Sequence, residues 1–234
     1  MTDQLPRALG VLGLERGLPP GAVAPPLPGS LQSSGTFGLP VLVETVPGAW
    51  VENVVRGDAG LEDAYVEAAR RLVGRGAVAI SSTCGFTIRF QDAVAAAVPV
   101  PVAMSSLLFL PTLLRQLPPN RKVAVLTYDS TYCTEEMLGL RDPADRARVV
   151  IGGIEGGKFW HDEMRRPPPP LDVVAIEADV AACIARLRAA QPQIAAILFE
   201  CAGFPLVAAA IRRLTGLPVY DIIGVCRTML GGVV

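Results

Sequence analysis

The sequence predicts an α/β fold of two pseudo-symmetric lobes, each a parallel sheet flanked by helices. Three observations predict it. Short apolar runs alternate with helical periodicities along the chain, the mark of strand–helix–strand units. The runs are continuously apolar rather than alternating, as a sheet covered on both faces requires. Finally, the chain repeats a phrase: ISSTCGFTIRFQDAVAAAVPVPV at 80–102 and ILFECAGFPLVAAAIRRLTGLPV at 197–219. In each copy an apolar run ends at a cysteine, a phenylalanine follows closely, an Ala-rich stretch comes next, and Pro-Val closes the phrase. Cys84 stands 17 residues before Pro101 and Cys201 stands 17 before Pro218; the cysteines are 117 apart, half of the 234 residues.

In chain order, strands are expected at Ala8–Leu14, Val41–Val46, Ala77–Ser81, Val100–Ala103, Val123–Thr127, Val149–Ile151, Ala195–Phe199 and Val219–Ile222. Between the second and third, Asp58–Gly74 reads as an amphipathic helix with Ala59, Leu61, Ala64, Ala68, Leu72 and Val73 among its apolar positions. Ala178–Ala190 is its counterpart before the strand that leads to Cys201. Arg7-Ala-Leu-Gly-Val-Leu and Lys122-Val-Ala-Val-Leu-Thr each follow a Pro-containing stretch and open a lobe as its first strand. Gly17–Gly38, rich in Gly and Pro, is expected to be a loop near a site mouth, and Arg165–Pro170 a stiff surface connection.

Composition excludes several function classes. The chain is 51% hydrophobic with a mean hydropathy of +0.42, enough for a large core, and its net charge of −1 lacks the basic footprint of a nucleic-acid binder. The apolar stretch Ala93–Leu110 is broken by Pro99, Pro101, Ser105 and Ser106, so no membrane span is expected there. MTDQLPRALGVLGLERGLPPG lacks a long apolar core, so a secretory signal is not expected. Five cysteines without a CxxC pair, and His161 as the one histidine, give no zinc-ligand pattern. Thiols in a reducing cytoplasm are the simplest expectation.

Parallel sheets bind ligands at the carboxyl ends of their strands, and both Cys84 and Cys201 fall there, each expected just before a helix. A thiol at a helix N-terminus is biased toward thiolate. Gly85 and Ala202-Gly203 are small enough for a substrate carboxylate to approach backbone N–H groups, which would also hold enolate charge as a Cα proton leaves. Matched context raises this pair above Cys133, Cys183 and Cys226, which read as core thiols. Pro205 suits a first helical turn.

These residues resemble the aspartate/glutamate/hydantoin racemase superfamily, two-cysteine enzymes that need no cofactor. The resemblance runs over nearly the whole chain and is carried by TCGF at 83–86, LTYDS at 126–130 and ECAGFPLVAAAIRRLTGLPVYD at 200–221. It implies two α/β lobes related by a pseudo-dyad, with the C-terminal helix returning to the first: residues 1–104 plus 221–234, and 105–220. It implies an active site in the interlobe cleft, with Cys84 and Cys201 facing each other as catalytic thiols. Thr83, Gly85, Phe86, Ala202 and Gly203 would line it, with Thr127, Tyr128 and Ser130 binding the acidic group of the substrate and Ser105 contributing beside Ser106. A homo-oligomer and a small-molecule carboxylate partner are implied too.

The chain departs from the glutamate enzymes at three places. Leu14-Glu15 stands where they have Asp-Ser, Gly85-Phe86 where they have Asn-Thr, and Ala202-Gly203, similar to the hydantoin form, where they have Thr-His. The expected activity is therefore a racemase or epimerase of a small carboxylate, amino acid or hydantoin, by two-thiol proton transfer. A cis–trans isomerase or decarboxylase of a small diacid, and a non-catalytic carboxylate binder, are the alternatives. Both arylmalonate decarboxylase and maleate isomerase share this fold, and the decarboxylase keeps only the second cysteine. Arg89 and Arg115 are possible contacts for a second carboxylate. His161, in a polar stretch, is not expected to act; Asp221 reads as a helix cap, and Glu200 is placed either to influence Cys201 or to serve structure.

Overall fold

The computed structural model describes residues 7–18 and 25–233; residues 1–6, and 19–24 of the Gly17–Gly38 segment, lie outside the described residues, and with them both ends of the stretch read for a signal. The strands are β1 Ala8–Gly13, β2 Val41–Thr45, β3 Ala77–Ser82, β4 Val102–Ala103, β5 Lys122–Thr127, β6 Val149–Gly153, β7 Ile194–Phe199 and β8 Val219–Tyr220. The helices are α1 Ser34–Phe37, α2 Val51–Arg56, α3 Glu62–Gly74, α4 Gln91–Ala97, α5 Leu110–Gln116, α6 Pro143–Arg146, α7 Lys158–Glu163, α8 Val173–Ala190, α9 Ala208–Thr215 and α10 Ile222–Gly231. The chain divides into two compact units, Met1–Ser105 with Ile223–Val234, and Ser106–Ile222.

Each unit holds a four-stranded, all-parallel sheet, ordered β2-β1-β3-β4 in the first and β6-β5-β7-β8 in the second. This is the predicted α/β class of parallel sheets flanked by helices. The central strands are buried throughout, β1 at all six positions and β7 at five of six, which is why their sequences run apolar without alternation. The repetition extends to irregularities. The β1–β3 ladder slips between Ala8 and Leu9, and the β5–β7 ladder between Lys122 and Val123. Ile80 N–H donates to the Pro101 carbonyl at 2.9 Å, and Ile197 N–H to the Pro218 carbonyl at 2.9 Å. The Pro-Val ends of the repeated phrase thus feed the edge strands β4 and β8.

Several boundaries differ from expectation. β4 begins at Val102 rather than Val100, because Pro99 and Pro101 have no N–H to give a ladder. β8 ends at Tyr220, since α10 begins at Ile222 directly after Asp221. The Asp58–Gly74 helix opens as a 3-10 turn, Ala59–Leu61, with Asp58 accepting the Gly60 N–H, before α3 proper. Its buried stripe is Tyr65, Ala68, Ala69 and Leu72, spaced i, i+3, i+4, i+7; Ala59 is exposed and Ala64 and Val73 only half-buried. α8 starts five residues earlier than expected because the Asp172 side chain caps it by accepting the Ala175 N–H at 3.1 Å. The Gly17–Gly38 segment contains α1, closed by Gly38 at φ +71°. Among the described residues no helix is long and apolar enough to cross a membrane.

Candidate active site

The predicted site residues fall into two sets, one at the carboxyl end of each sheet. In the first unit, Cys84 lies two residues beyond β3 and leads a 3-10 turn, Gly85–Phe90, that precedes α4. In the second, Cys201 lies two residues beyond β7 and is followed by the 3-10 turn Phe204–Val207 that precedes α9, with Pro205 in its first turn. The expected α-helix after each thiol is thus preceded by a tighter turn. Both cysteine carbonyls accept an N–H from three residues on, Thr87 and Phe204, each at 3.2 Å. The residue before each cysteine is tied to the neighbouring strand the same way: Thr83 N–H donates to Leu12 and Glu200 N–H to Leu126, at 2.9 and 2.8 Å. Two thiols are therefore held by the same backbone scaffold in two separate sheets.

Side chains around the two stations differ. Beside Cys84, Thr87 Oγ1 donates toward the Cys84 carbonyl at 2.6 Å and the Met104 carbonyl at 2.9 Å, and Thr83 Oγ1 accepts the Leu14 N–H at 3.2 Å. Cys84 N–H reaches Ser82 Oγ at 3.4 Å. Gly85, Phe86 and Ser105 are buried; Ser105 lies two residues beyond β4. The Arg89 guanidinium lies 5.5 Å from the Phe86 ring centre and donates to the Val54 and Val55 carbonyls, tying the turn to α2. That structural use accounts for Arg89. Arg115 is exposed in the last turn of α5.

Beside Cys201, Thr127 closes β5 and donates its hydroxyl to Glu200 Oε2 at 2.8 Å. Both are fully buried, so Glu200 points into the protein beside the thiol's strand. Tyr128 donates to the Trp160 carbonyl at 2.6 Å, and Trp160 Nε1 donates to Asp129 Oδ2 at 3.2 Å. Ser130 donates its hydroxyl to Glu155 Oε1 at 2.6 Å and its N–H to Oε2 at 3.1 Å. Burial opposes the Glu155 charge, yet those two bonds, its own backbone and the Arg186 guanidinium outweigh it and hold the carboxyl below the usual range. Gly203 has an internal reason to be glycine. A Cβ there would stand 3.0 Å from Phe159 Cζ and 3.7 Å from Cys201 Sγ, so a side chain would crowd the Phe159 ring and force it to shift. Phe159 packs against Tyr128 and Phe204 with ring centres 6.3 Å apart in both cases, walling the turn with aromatic rings.

Sequence reasoning missed Glu155, Asp129, Phe159, Trp160 and Tyr65. Phe159 and Trp160 sit in GKFWHDEM, whose polar flanks masked them; His161 beside them is exposed. Tyr65 was findable, being first in the i, i+3, i+4, i+7 stripe of α3. All five cysteines are thiols. Cys133, Cys183 and Cys226 are buried, while Cys201 keeps partial exposure. Burial is the main cause pushing Cys183 up to about 11. Cys201 is open to solvent in part while Cys183 is fully buried with a raised pKa, so in mildly alkaline buffer iodoacetamide should label Cys201 while Cys183 stays unlabelled, as peptide mass spectrometry would show. Among the described residues no group of three or more His, Cys, Asp or Glu could hold a metal ion.

No protein-family model matches the chain. A dimethylsulfoniopropionate lyase of Durusdinium sp. clade D is 31% identical over 210 residues, spanning 85% of this chain and 67% of that protein. Dimethylsulfoniopropionate lyases 7 and 3 of Emiliania huxleyi are 27% and 28% identical over 95% of this chain. The chain covers 66% and 59% of their lengths, so these relatives are substantially longer. Among solved structures, a mutant of arylmalonate decarboxylase aligns over 97% of this chain and 94% of its own, with a TM-score of 0.62 and 18% identity. The glutamate racemase of Francisella tularensis aligns over 97% and 80%, with a TM-score of 0.58 and 14% identity. At those identities the two structures attest the fold.

Proposed function

Because this chain belongs to the family of the dimethylsulfoniopropionate lyases and shares the fold of the glutamate racemases, we propose that it is an enzyme that removes the proton alpha to a small carboxylate with a cysteine thiolate. Cys84 and Cys201 are the catalytic groups of this reading. Thr83, Gly85, Phe86, Ser105, Ala202 and Gly203 supply the binding surfaces, through backbone N–H groups after each cysteine; Thr127, Tyr128 and Ser130 at the β5 end donate their hydroxyl protons to Glu200, the Trp160 carbonyl and Glu155, so they serve this reading as surface and backbone rather than as hydroxyl donors to the substrate's acidic group. The observation that carries the proposal is the duplicated station: a thiol two residues beyond the third strand of each sheet, braced by matching hydrogen bonds.

The kinship favours an elimination as the outcome. On a propionate bearing a dimethylsulfonium group at its β carbon, thiolate takes the Cα proton and becomes a thiol. The electron pair left behind forms the carbon–carbon double bond, the carbon–sulfur bond breaks, and dimethyl sulfide departs with its electrons, leaving acrylate. The thiol then returns its proton to water. Proton removal needs a base with a pKa near the working pH, which a thiol has. Incubation with dimethylsulfoniopropionate should release dimethyl sulfide and acrylate in equal amounts. Neither product, together with no hydrogen exchange at Cα in heavy water for that substrate or for amino acids and hydantoins, would end the proposal.

The matched pair itself favours a second reading, racemisation. There one thiolate removes the proton and a second thiol delivers another to the opposite face. Cα exchange with inversion and no sulfide release would select it.

A further inference from the structure

We propose that Tyr65 is a positioning residue for Cys84, its buried hydroxyl being the donor that meets the sulfur when the thiol loses its proton. This rests on the reading of Cys84 as a working thiolate. Tyr65 lies on α3, the helix that connects the parallel strands β2 and β3 and so runs opposite to them. Leu72 of that helix sits level with Gly10 of β1: a Cβ on Gly10 would be 3.2 Å from Leu72 Cβ. Tyr65 is two turns nearer the helix start, about 10 Å along the axis. The same distance along β1, about three residues, reaches its carboxyl end, where Thr83 N–H is bonded to Leu12. The phenol is thereby brought to the Cys84 end of the sheet. Its ring confirms the level. It stacks on Phe90 with centres 4.8 Å apart and 23° between planes, and Phe90 ends the turn that Cys84 begins.

The side chain has no exposure at all, and its hydroxyl has no hydrogen-bond partner among the described residues. A buried hydroxyl left unpaired is costly and uncommon, and this one belongs to the ring that packs on Phe90, the last residue of the turn that Cys84 leads. Burial first, and the Cys84 charge second, push the phenol above its usual range, so it remains an O–H donor through the thiol titration. The other charged groups around this corner are occupied or outward. Arg89 donates to the Val54 and Val55 carbonyls, and Glu15 accepts the Gly48 N–H at 2.6 Å. Glu62 and Asp63 on α3 and Asp92 on α4 are exposed, and Glu52 on α2 is half-buried. The Ser82, Thr83 and Thr87 hydroxyls beside Cys84 bond to backbone carbonyls, whereas the Tyr65 hydroxyl has no such partner among the described residues.

The test needs no substrate. Iodoacetamide labelling of Cys84, followed by peptide mass spectrometry from about pH 6 to 10, gives its ionisation midpoint. In Tyr65→Phe that midpoint should rise by about one pH unit, while the thermal midpoint holds or rises because an unpaired polar atom has gone. An unchanged ionisation midpoint would overturn the proposal and leave Tyr65 as a ring that packs. Replacing all four tyrosines with fluorotyrosine, a stronger donor, should lower the Cys84 midpoint in the natural chain but not in Tyr65→Phe; an equal response in both would also overturn it. A shifted midpoint in a protein that turns over no candidate substrate would retire the enzymatic reading and leave the tuned thiol standing.

Discussion

Alanine at Cys201 should reduce turnover about 100- to 10,000-fold, the range that a positioned proton-transfer group supplies, with little loss of fold. The station keeps its shape because its backbone does the holding: Phe204 N–H donates to the Cys201 carbonyl and Glu200 N–H to Leu126. Alanine preserves both bonds. The same substitution at Cys84 removes the sulfur of a residue that is 7% exposed, at a cost of about 1 kcal/mol in packing, and likewise leaves the Thr87 bonds intact. Comparing the two variants separates the mechanisms. Elimination needs one base, so one variant should lose turnover while the other retains a measurable part. Racemisation needs a group for each face, so both should fall to background together. Turnover assayed beside circular dichroism and thermal midpoints reads this directly. Full activity in both variants would remove thiol chemistry from the account.

Much of this is legible in the sequence itself. Continuous apolar runs mark buried parallel strands whatever their surroundings, and all eight expected strands are present. The repeated phrase is legible because backbone geometry repeats with it, down to the proline carbonyls that receive Ile80 and Ile197. What escaped was set by tertiary contact. Gly203 reads as room for a ligand, but a side chain there would also crowd Phe159, which stands 44 residues earlier in the sequence. Thr127 looked like a free donor at a strand end, but its proton goes to Glu200, whose orientation no local pattern reveals. Tyr65 falls on the buried stripe of α3 by its spacing, but that its hydroxyl lacks a partner among the described residues is visible only in the fold. Ser130 reads as turn chemistry in isolation; only the fold shows Glu155 clasping it.

The two stations are braced by different chemistry, and this leads to the largest expected loss of stability. Three residues beyond Cys84 the brace is Thr87, whose hydroxyl bonds two carbonyls. Three residues beyond Cys201 it is Phe204, fully buried, edge-on to Phe199 at 5.5 Å and 81°, and 6.3 Å from Phe159. A hydroxyl brace is worth about 1–3 kcal/mol when its partners would otherwise be left unpaired, whereas truncating a buried phenylalanine typically costs about 3–5 kcal/mol. Phe204→Ala should therefore lower the urea midpoint by an amount equivalent to about 3–5 kcal/mol, at a level most domains of this size survive only narrowly. The void would open directly under the turn that carries Cys201, between Phe199 at the end of β7 and Phe159 on α7. Iodoacetamide should then label Cys201 faster than in the natural chain, while labelling of Cys84, in the other unit, stays unchanged. A loss below about 1 kcal/mol with unaltered labelling of Cys201 would mean that the ring fills space without holding the thiol, and that the shared backbone bonds alone fix both cysteines.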